Sequence, residues 1–190
     1  MKNKYTYLPK IFLLGILPLL CIQTSYSQSR SGIGIAYGIN KPLSNDYNTG
    51  GGFQLLGKIA IGNNWAIIPD LGYDHLNSKG RVYYEPANLN NKRISSIDLF
   101  HLGQSGRYSF DKQWFANAGA ILYVGGGNED IANAGIGGSA AAGYNLNLDE
   151  HSSLELSLNT SIINIQYSDN SVTPIVGLKV AYVFNFRRDD

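Results

Sequence analysis

From Gly32 to Phe186 the chain alternates apolar residues with small or polar ones at a period of two. That spacing predicts strands with one apolar face and no helix of convincing periodicity. Ile33, Ile35, Tyr37 and Ile39 share a face opposite Gly32, Gly34, Ala36 and Gly38. Phe53, Leu55, Ile59 and Ile61 oppose Gln54, Lys58 and Ala60, and Trp65, Ile67, Leu71 and Tyr73 oppose Ala66, Asp70, Gly72 and Asp74. A segment from Ile94 to Phe110 is less regular, with its phase open around Gln104. Three alternating runs follow, at Trp114–Val124, Ile136–Leu146 and Leu154–Ile162, and a fourth at Val176–Phe186. The expectation is eight strands.

The connections alternate in length. The first, third, fifth and seventh run Asn40–Gly51, Asn77–Arg93, Gly125–Asn133 and Ser168–Thr173. Between them lie the short links Gly62-Asn63-Asn64, Asp111-Lys112-Gln113 and Asp149 to Ser152, rich in residues that tolerate tight turns. In a meander, odd and even connections fall at opposite ends. Long loops at one end and short turns at the other predict an all-β, eight-stranded antiparallel up-and-down transmembrane barrel. Its long loops would be extracellular and its short turns periplasmic. Each strand reaches the roughly 9–11 residues that cross a bilayer.

The first residues read differently. Lys2, Lys4 and Lys10 precede an apolar run, Ile11–Ile22, and then the small polar stretch Gln23–Gln28. Basic, apolar and small-residue regions in that order describe a secretory signal peptide. Residues 1–27 are expected to be cleaved, leaving 28–190 as the barrel domain. Cys21 follows Leu19 and Leu20, which disfavours a lipoprotein reading. Losing those three lysines would take the formal charge from +1 to −2 and remove the single cysteine.

Composition sharpens the picture. Charged residues make up 15% of the chain, against about 25% in a typical globular protein. Gly accounts for 22 residues and Tyr for 13. The near-neutral charge excludes a strongly basic nucleic-acid binder. No cofactor motif is present. A mean hydropathy close to zero is what averaging a lipid-facing apolar half with a small, polar inner half gives.

The closing run Gly177-Leu178-Lys179-Val180-Ala181-Tyr182-Val183-Phe184-Asn185-Phe186 ends in the alternating aromatics Tyr182, Phe184 and Phe186. With the eight alternating segments, it resembles small outer-membrane barrels of the OmpX and OmpA-transmembrane type, and outer-membrane barrel domains of the Bacteroidota. The resemblance covers about residues 30–188 and rests on pattern. It implies insertion into the bacterial outer membrane, contact with lipid and lipopolysaccharide, and assembly by the barrel-assembly machinery. The added Arg187-Arg188-Asp189-Asp190 departs from a strand that ends on Phe.

If the apolar faces meet lipid, Trp65, Phe110, Trp114, Tyr144, Phe184 and Phe186 fall near the short turns and predict a periplasmic aromatic girdle. Tyr37, Tyr73 and Phe53 would serve the outer interface. By parity the interior holds Lys58, Arg107 and Lys179 against Asp70, Asp74 and Glu155. Buried charges persist when paired and hydrogen-bonded, so these six predict an interior ion-pair plug, with Lys58 and Asp70 close enough across their turn to pair. An eight-stranded barrel filled in this way is not a general porin.

Catalytic readings are weaker. His151, Ser153 and Glu155 have nucleophile-and-base spacing but fall at a periplasmic turn, away from outer-leaflet lipid A. His101 and Ser105 are inward by parity but lie four residues apart on one strand, too far for a hydrogen bond, and His75 sits near the outer rim beside Asp74 without a serine. Glu129 and Asp130 offer oxygen ligands in a Gly-rich loop that reads as solvated. The longest loop carries Lys79, Arg81, Tyr83, Tyr84, Glu85, Lys92 and Arg93, a set suited to lipopolysaccharide phosphates or a partner surface. The leading expectation is a non-enzymatic outer-membrane barrel acting in envelope integrity, adhesion or surface interaction. A soluble lipocalin-like barrel and a lipid A-modifying enzyme stand as alternatives, the former weakened by the missing Gly-x-Trp signature on the first strand.

Overall fold

The computed structural model describes residues 30–45, 47–79, 82–85, 88–93, 96–126, 133–164 and 172–186, and for 82–85 and 88–93 the backbone alone. The expected signal peptide with Cys21, the candidate ligands Glu129 and Asp130, Arg81, and the tail Arg187–Asp190 lie outside the described residues.

Ten strands form. They are β1 (Gly32–Pro42), β2 (Gly50–Ala60), β3 (Trp65–Asn77), β4 (Val82–Glu85), β5 (Asn88–Arg93), β6 (Ser96–Ser109), β7 (Trp114–Gly126), β8 (Asn133–Asn147), β9 (Ser152–Ile163) and β10 (Thr173–Asn185). Eight of them close an antiparallel barrel in the order β1-β10-β9-β8-β7-β6-β3-β2. The remaining two, β4 and β5, make a hairpin inside the longest loop, where the sequence pattern predicts no strands. Its two strands pair with each other and with no barrel strand, so its residues need not keep the barrel's period of two. No helix among the described residues is long and apolar enough to cross a membrane.

The three short turns share one construction. Ile61 N donates to Trp65 O at 3.0 Å, Phe110 N to Trp114 O at 3.0 Å and Leu148 N to Ser152 O at 3.0 Å. In two of them an aspartate opens the turn and caps its amides. Asp111 Oδ1 accepts from Gln113 N (2.7 Å) and Trp114 N (2.6 Å), and Asp149 Oδ1 from His151 N (2.7 Å) and Ser152 N (2.7 Å). An Asp side chain that substitutes for a backbone acceptor fixes the turn locally. The barrel closes beside these turns, where Phe186 N donates to Ser31 O at 2.7 Å.

β6 runs through Gln104 without a break, pairing it with Pro69 on one side and Ala120 on the other. Gln104 therefore faces outward, and His101, Ser105 and Arg107 face inward in one phase. Pro69 donates no backbone hydrogen bond to the ladder, and its ring packs against the outward face of Gly57.

The expected polarity holds on every barrel strand, with one exception inside. Large apolar side chains cover the outer wall, half or more exposed: Ile35 56%, Leu55 52%, Leu122 52%, Leu178 51%. The interior, expected to be small and polar, is apolar at the long-loop end. There Tyr47, Leu76, Ile97, Leu99, Tyr123, Ile163 and Ile175 form one buried cluster. Charge is unnecessary at that end because the loop residue Tyr47 folds over the mouth and lets apolar side chains meet each other rather than water.

Candidate functional site: a divided barrel interior

The inward residues of the central strands divide the interior into two spaces. Arg107 on β6 reaches across to Glu155 on β9, donating from Nη1 to Oε1 at 2.6 Å and from Nη2 to Oε2 at 2.8 Å. Its Nε donates to Asn117 Oδ1 at 3.0 Å, and the guanidinium lies 4.0 Å from the centroid of the Phe115 ring. A planar guanidinium suits this two-pronged carboxylate contact and ring stacking together. Arg107, Phe115 and Glu155 line both spaces, so they form the septum between them.

Above the septum lies a central cavity of about 110 Å³. His101 sits at its wall with Nε2 3.5 Å from Asp70 Oδ1 and Nδ1 3.3 Å from Asp74 Oδ2. Asn40 Nδ2 donates to Asp74, and Lys179 Nζ donates to Gln54 Oε1 at 2.9 Å. The apolar cluster seals this end toward the long loops. Below the septum a vestibule of about 720 Å³ opens between the short turns, lined by Arg30, Lys58, Lys112, Asn145 and Asn185 among others.

All six predicted interior charges point inward, yet their partners differ from expectation. Arg107 and Glu155 are the one bidentate pair. Lys58 does not pair with Asp70. Leu56 faces Asp70 and Ile59 faces Ile67, which leaves Lys58 one inward step nearer the turn. Lys58 therefore enters the vestibule and Asp70 the central cavity. Among the described residues, neither Lys58 nor Lys179 has a carboxylate within ion-pair distance. His101, inward as parity predicts, takes the two aspartates instead, partners that the sequence reading did not give it. Asn40, Gln54 and Asn117, which complete the network, gave no sequence signal beyond their inward parity.

The catalytic candidates are dispersed. His151 stacks on Phe184 with centroids 6.2 Å apart, while Ser153 accepts from Asn185 Nδ2 at 3.3 Å and Glu155 is held by Arg107. His75 projects from the outer wall and meets Asp98, not Asp74, with Nδ1 2.6 Å from Oδ1. Tyr73 Oη donates to the same carboxylate at 2.6 Å. Among the described residues no group of three or more His, Cys, Asp or Glu could hold a metal ion.

The predicted aromatics cluster at the two rims. Trp65 packs on Tyr108 (4.9 Å between centroids) and Tyr108 on Phe110 (5.3 Å), while Trp114 meets Tyr144 at 5.0 Å and Phe184 meets Phe186 at 6.3 Å. Tyr108 is an addition that the uncertain phase of its strand concealed. At the other rim Tyr73 packs between Phe53 (5.5 Å) and Phe100 (5.1 Å), and Tyr37 pairs across strands with Phe53. Tyr182, Phe184 and Phe186 all face outward on the closing strand.

No protein-family model matches the chain, and no curated protein matches it by sequence. Solved structures match its fold. Neisserial surface protein A aligns with a TM-score of 0.63 at 15% identity, covering 82% of this chain and 97% of that one. The attachment invasion locus protein of Yersinia pestis, in complex with the heparin analogue sucrose octasulfate, aligns with a TM-score of 0.53 at 12% identity, over 84% and 99%. The outer membrane protein OprG of Pseudomonas aeruginosa gives 0.50 at 9% identity, over 86% and 100%. The chain thus shares the closed eight-stranded barrel of these proteins.

Proposed function

We propose that the chain is an integral protein of the bacterial outer membrane, non-enzymatic, with a filled interior and surface loops that make its contacts. The apolar outer wall carries this reading. Apolar side chains half or more exposed circle the barrel strands, framed by aromatics at both rims. A water-soluble protein rarely exposes more than a few hundred Å² of continuous apolar surface, whereas a closed barrel in hydrocarbon requires such a wall. The charges lie inside. That polarity is the reverse of a lipocalin-like ligand barrel, and the scattered histidines favour no serine-based lipid A chemistry.

In this reading the short turns, with the start of β1 and the end of β10, face the periplasm, and the long loops with the β4–β5 hairpin face outward toward lipopolysaccharide. The exposed Tyr182, Phe184 and Phe186 on the closing strand support recognition by the barrel-assembly machinery. The apolar seal, the small central cavity and the Arg107 septum favour a barrel without a steady open channel. Adhesion or envelope stabilisation through the loops is the role that fits a barrel whose interior is occupied.

The test is fractionation of the full chain expressed in a Gram-negative host. The protein is expected in the outer-membrane fraction, extractable only with detergent, and its unboiled form should run at a different apparent mass from the boiled form. Recovery in the soluble periplasmic fraction without detergent overturns the proposal.

A further inference from the structure

The vestibule at the short-turn end holds a cation that, among the described residues, no side chain contacts directly. Lys58 is 9% exposed and lines this space. No hydrogen bond or ion pair reaches its ammonium among the described residues. The charge of Glu155 acts on Lys58, but both oxygens of that carboxylate are engaged by Arg107. The floor of the vestibule therefore holds two buried cations, Lys58 and Arg107, against one carboxylate. An uncompensated buried charge is expensive, and a bound counter-ion removes that expense.

The rim carries Asp111, Asp149 and Glu150 beside Arg30 and Lys112, but among the described residues none of these acids is within ion-pair distance of Lys58. Asp111 and Asp149 are turned onto their own turn amides. Arg30 adds another cation to the wall, its guanidinium donating to the Glu150 carbonyl oxygen.

The cradle has a second unmet group. Lys58 and Asn185 flank the same residue, Gly32, from the two neighbouring strands. Gly32 has no side chain to separate them, and a Cβ there would meet the Phe184 carbonyl oxygen at 2.4 Å. Asn185 is 8% exposed, donates from Nδ2 to Ser153, and leaves its buried Oδ1 without a partner. The row thus offers a positive donor on one side of Gly32 and an open acceptor on the other. An oxyanion that carries its own hydroxyl satisfies both, accepting from the Lys58 ammonium and donating to Asn185 Oδ1. Sulfate can do only the first.

We propose that this vestibule binds a phosphoryl group in its protonated form, either free hydrogen phosphate or a phosphate monoester, over Gly32 between Lys58 and Asn185. Among the described residues the site opens toward the short turns, with the Arg107–Phe115–Glu155 septum on its other side. It exists whichever compartment that end faces.

The experiment uses the full mature chain refolded in a maltoside detergent and titrated by calorimetry, with folding of every variant checked by the gel shift of unboiled protein. Inorganic phosphate is expected to bind saturably and more tightly than sulfate. Lys58→Met should weaken phosphate by at least about tenfold, as loss of a buried charge-assisted hydrogen bond does, while Lys41→Met, exposed at the long-loop end of β1, leaves binding unchanged. Asn185→Leu should abolish the preference for phosphate over sulfate. Dihexanoyl phosphatidic acid separates the sources: tighter binding than inorganic phosphate assigns the site to a lipid headgroup, and weaker binding to the free ion. Absence of saturable phosphate binding overturns the proposal, as does binding that Lys58→Met leaves intact. If Lys58→Met does not fold, Asn185→Leu decides, and an unchanged preference for phosphate over sulfate overturns it.

Discussion

Arg107 makes four contacts in the barrel interior: two to Glu155, one to Asn117 and a face-on approach to Phe115. Three of the five guanidinium N–H donors are taken, and both carboxylate oxygens accept. Removing either partner strands the other. Arg107→Met is expected to lower unfolding stability in detergent or lipid by about 3–5 kcal/mol, the cost of leaving one member of a buried pair alone. The double variant Arg107→Met, Glu155→Gln should recover part of that loss. Urea titration of the refolded protein checks both, and an Arg107→Met variant as stable as the parent contradicts the septum. At this scale sequence parity places Lys58, Asp70, Asp74, Arg107, Glu155 and Lys179 on the inner face. It does not say which will touch, because the partner of Arg107 comes from a strand 48 residues later in the chain and across the barrel. The misplaced Lys58–Asp70 pair has the same origin. One inward step along a strand moves a side chain by about 7 Å, enough to put it on the other side of the septum.

The elements were easier to read, and the turns most of all. Gly62-Asn63-Asn64, Asp111-Lys112-Gln113 and Asp149-Glu150-His151 are local structures whose residues meet only their neighbours, so their chemistry is written in a few positions. Asp149 illustrates it. Hydrogen bonds from the Ser152 hydroxyl and from the amides of His151 and Ser152 hold its carboxyl below the usual carboxylate range. A depressed folded-state value means that the ionised group stabilises the turn above the ordinary pKa of about 3.9, and that this contribution disappears as the pH falls through the lower folded value. Asp149→Asn should therefore be the less stable protein at neutral pH. The gap should narrow on acidification below about pH 4, and a gap that widens there contradicts the charge-dependent cap. Unfolding midpoints measured across that range decide. The strand β6 was harder. Gln104 on the outer wall broke the apolar alternation, and only its pairing with Pro69 and Ala120 restores the phase. The aromatic Tyr108 was hidden by the same ambiguity, whereas parity alone places His101 and Ser105 on the inner face. The β4–β5 hairpin was not legible as strands, since its pairing is internal to a loop and leaves no two-faced pattern.

Across the whole molecule, polarity is inverted relative to a water-soluble barrel. Leu55 lies midway along β2, half exposed, with Ile35 and Leu71 beside it. If this wall meets hydrocarbon, Leu55→Arg should destabilise the lipid-folded protein by about 2–4 kcal/mol, the penalty for a charge near the bilayer midplane. If it met water, the same change would be near neutral. Folding titrations in phospholipid vesicles distinguish the two.

The sequence by itself determined the number and order of the barrel strands, their outward faces, the alternation of long loops and short turns, and the rim positions of most aromatics. All of these follow from periodicities within a strand or a turn, where each residue's neighbours in space are its neighbours in the chain. Tertiary structure alone decided the division of the interior: the apolar seal at the long-loop end, the Arg107–Glu155 septum, the His101 bridge between two aspartates, and the unpaired Lys58 in the vestibule. Those features arise where strands distant in sequence converge on one narrow space. There a side chain's reach and its register, rather than its parity, select its partner.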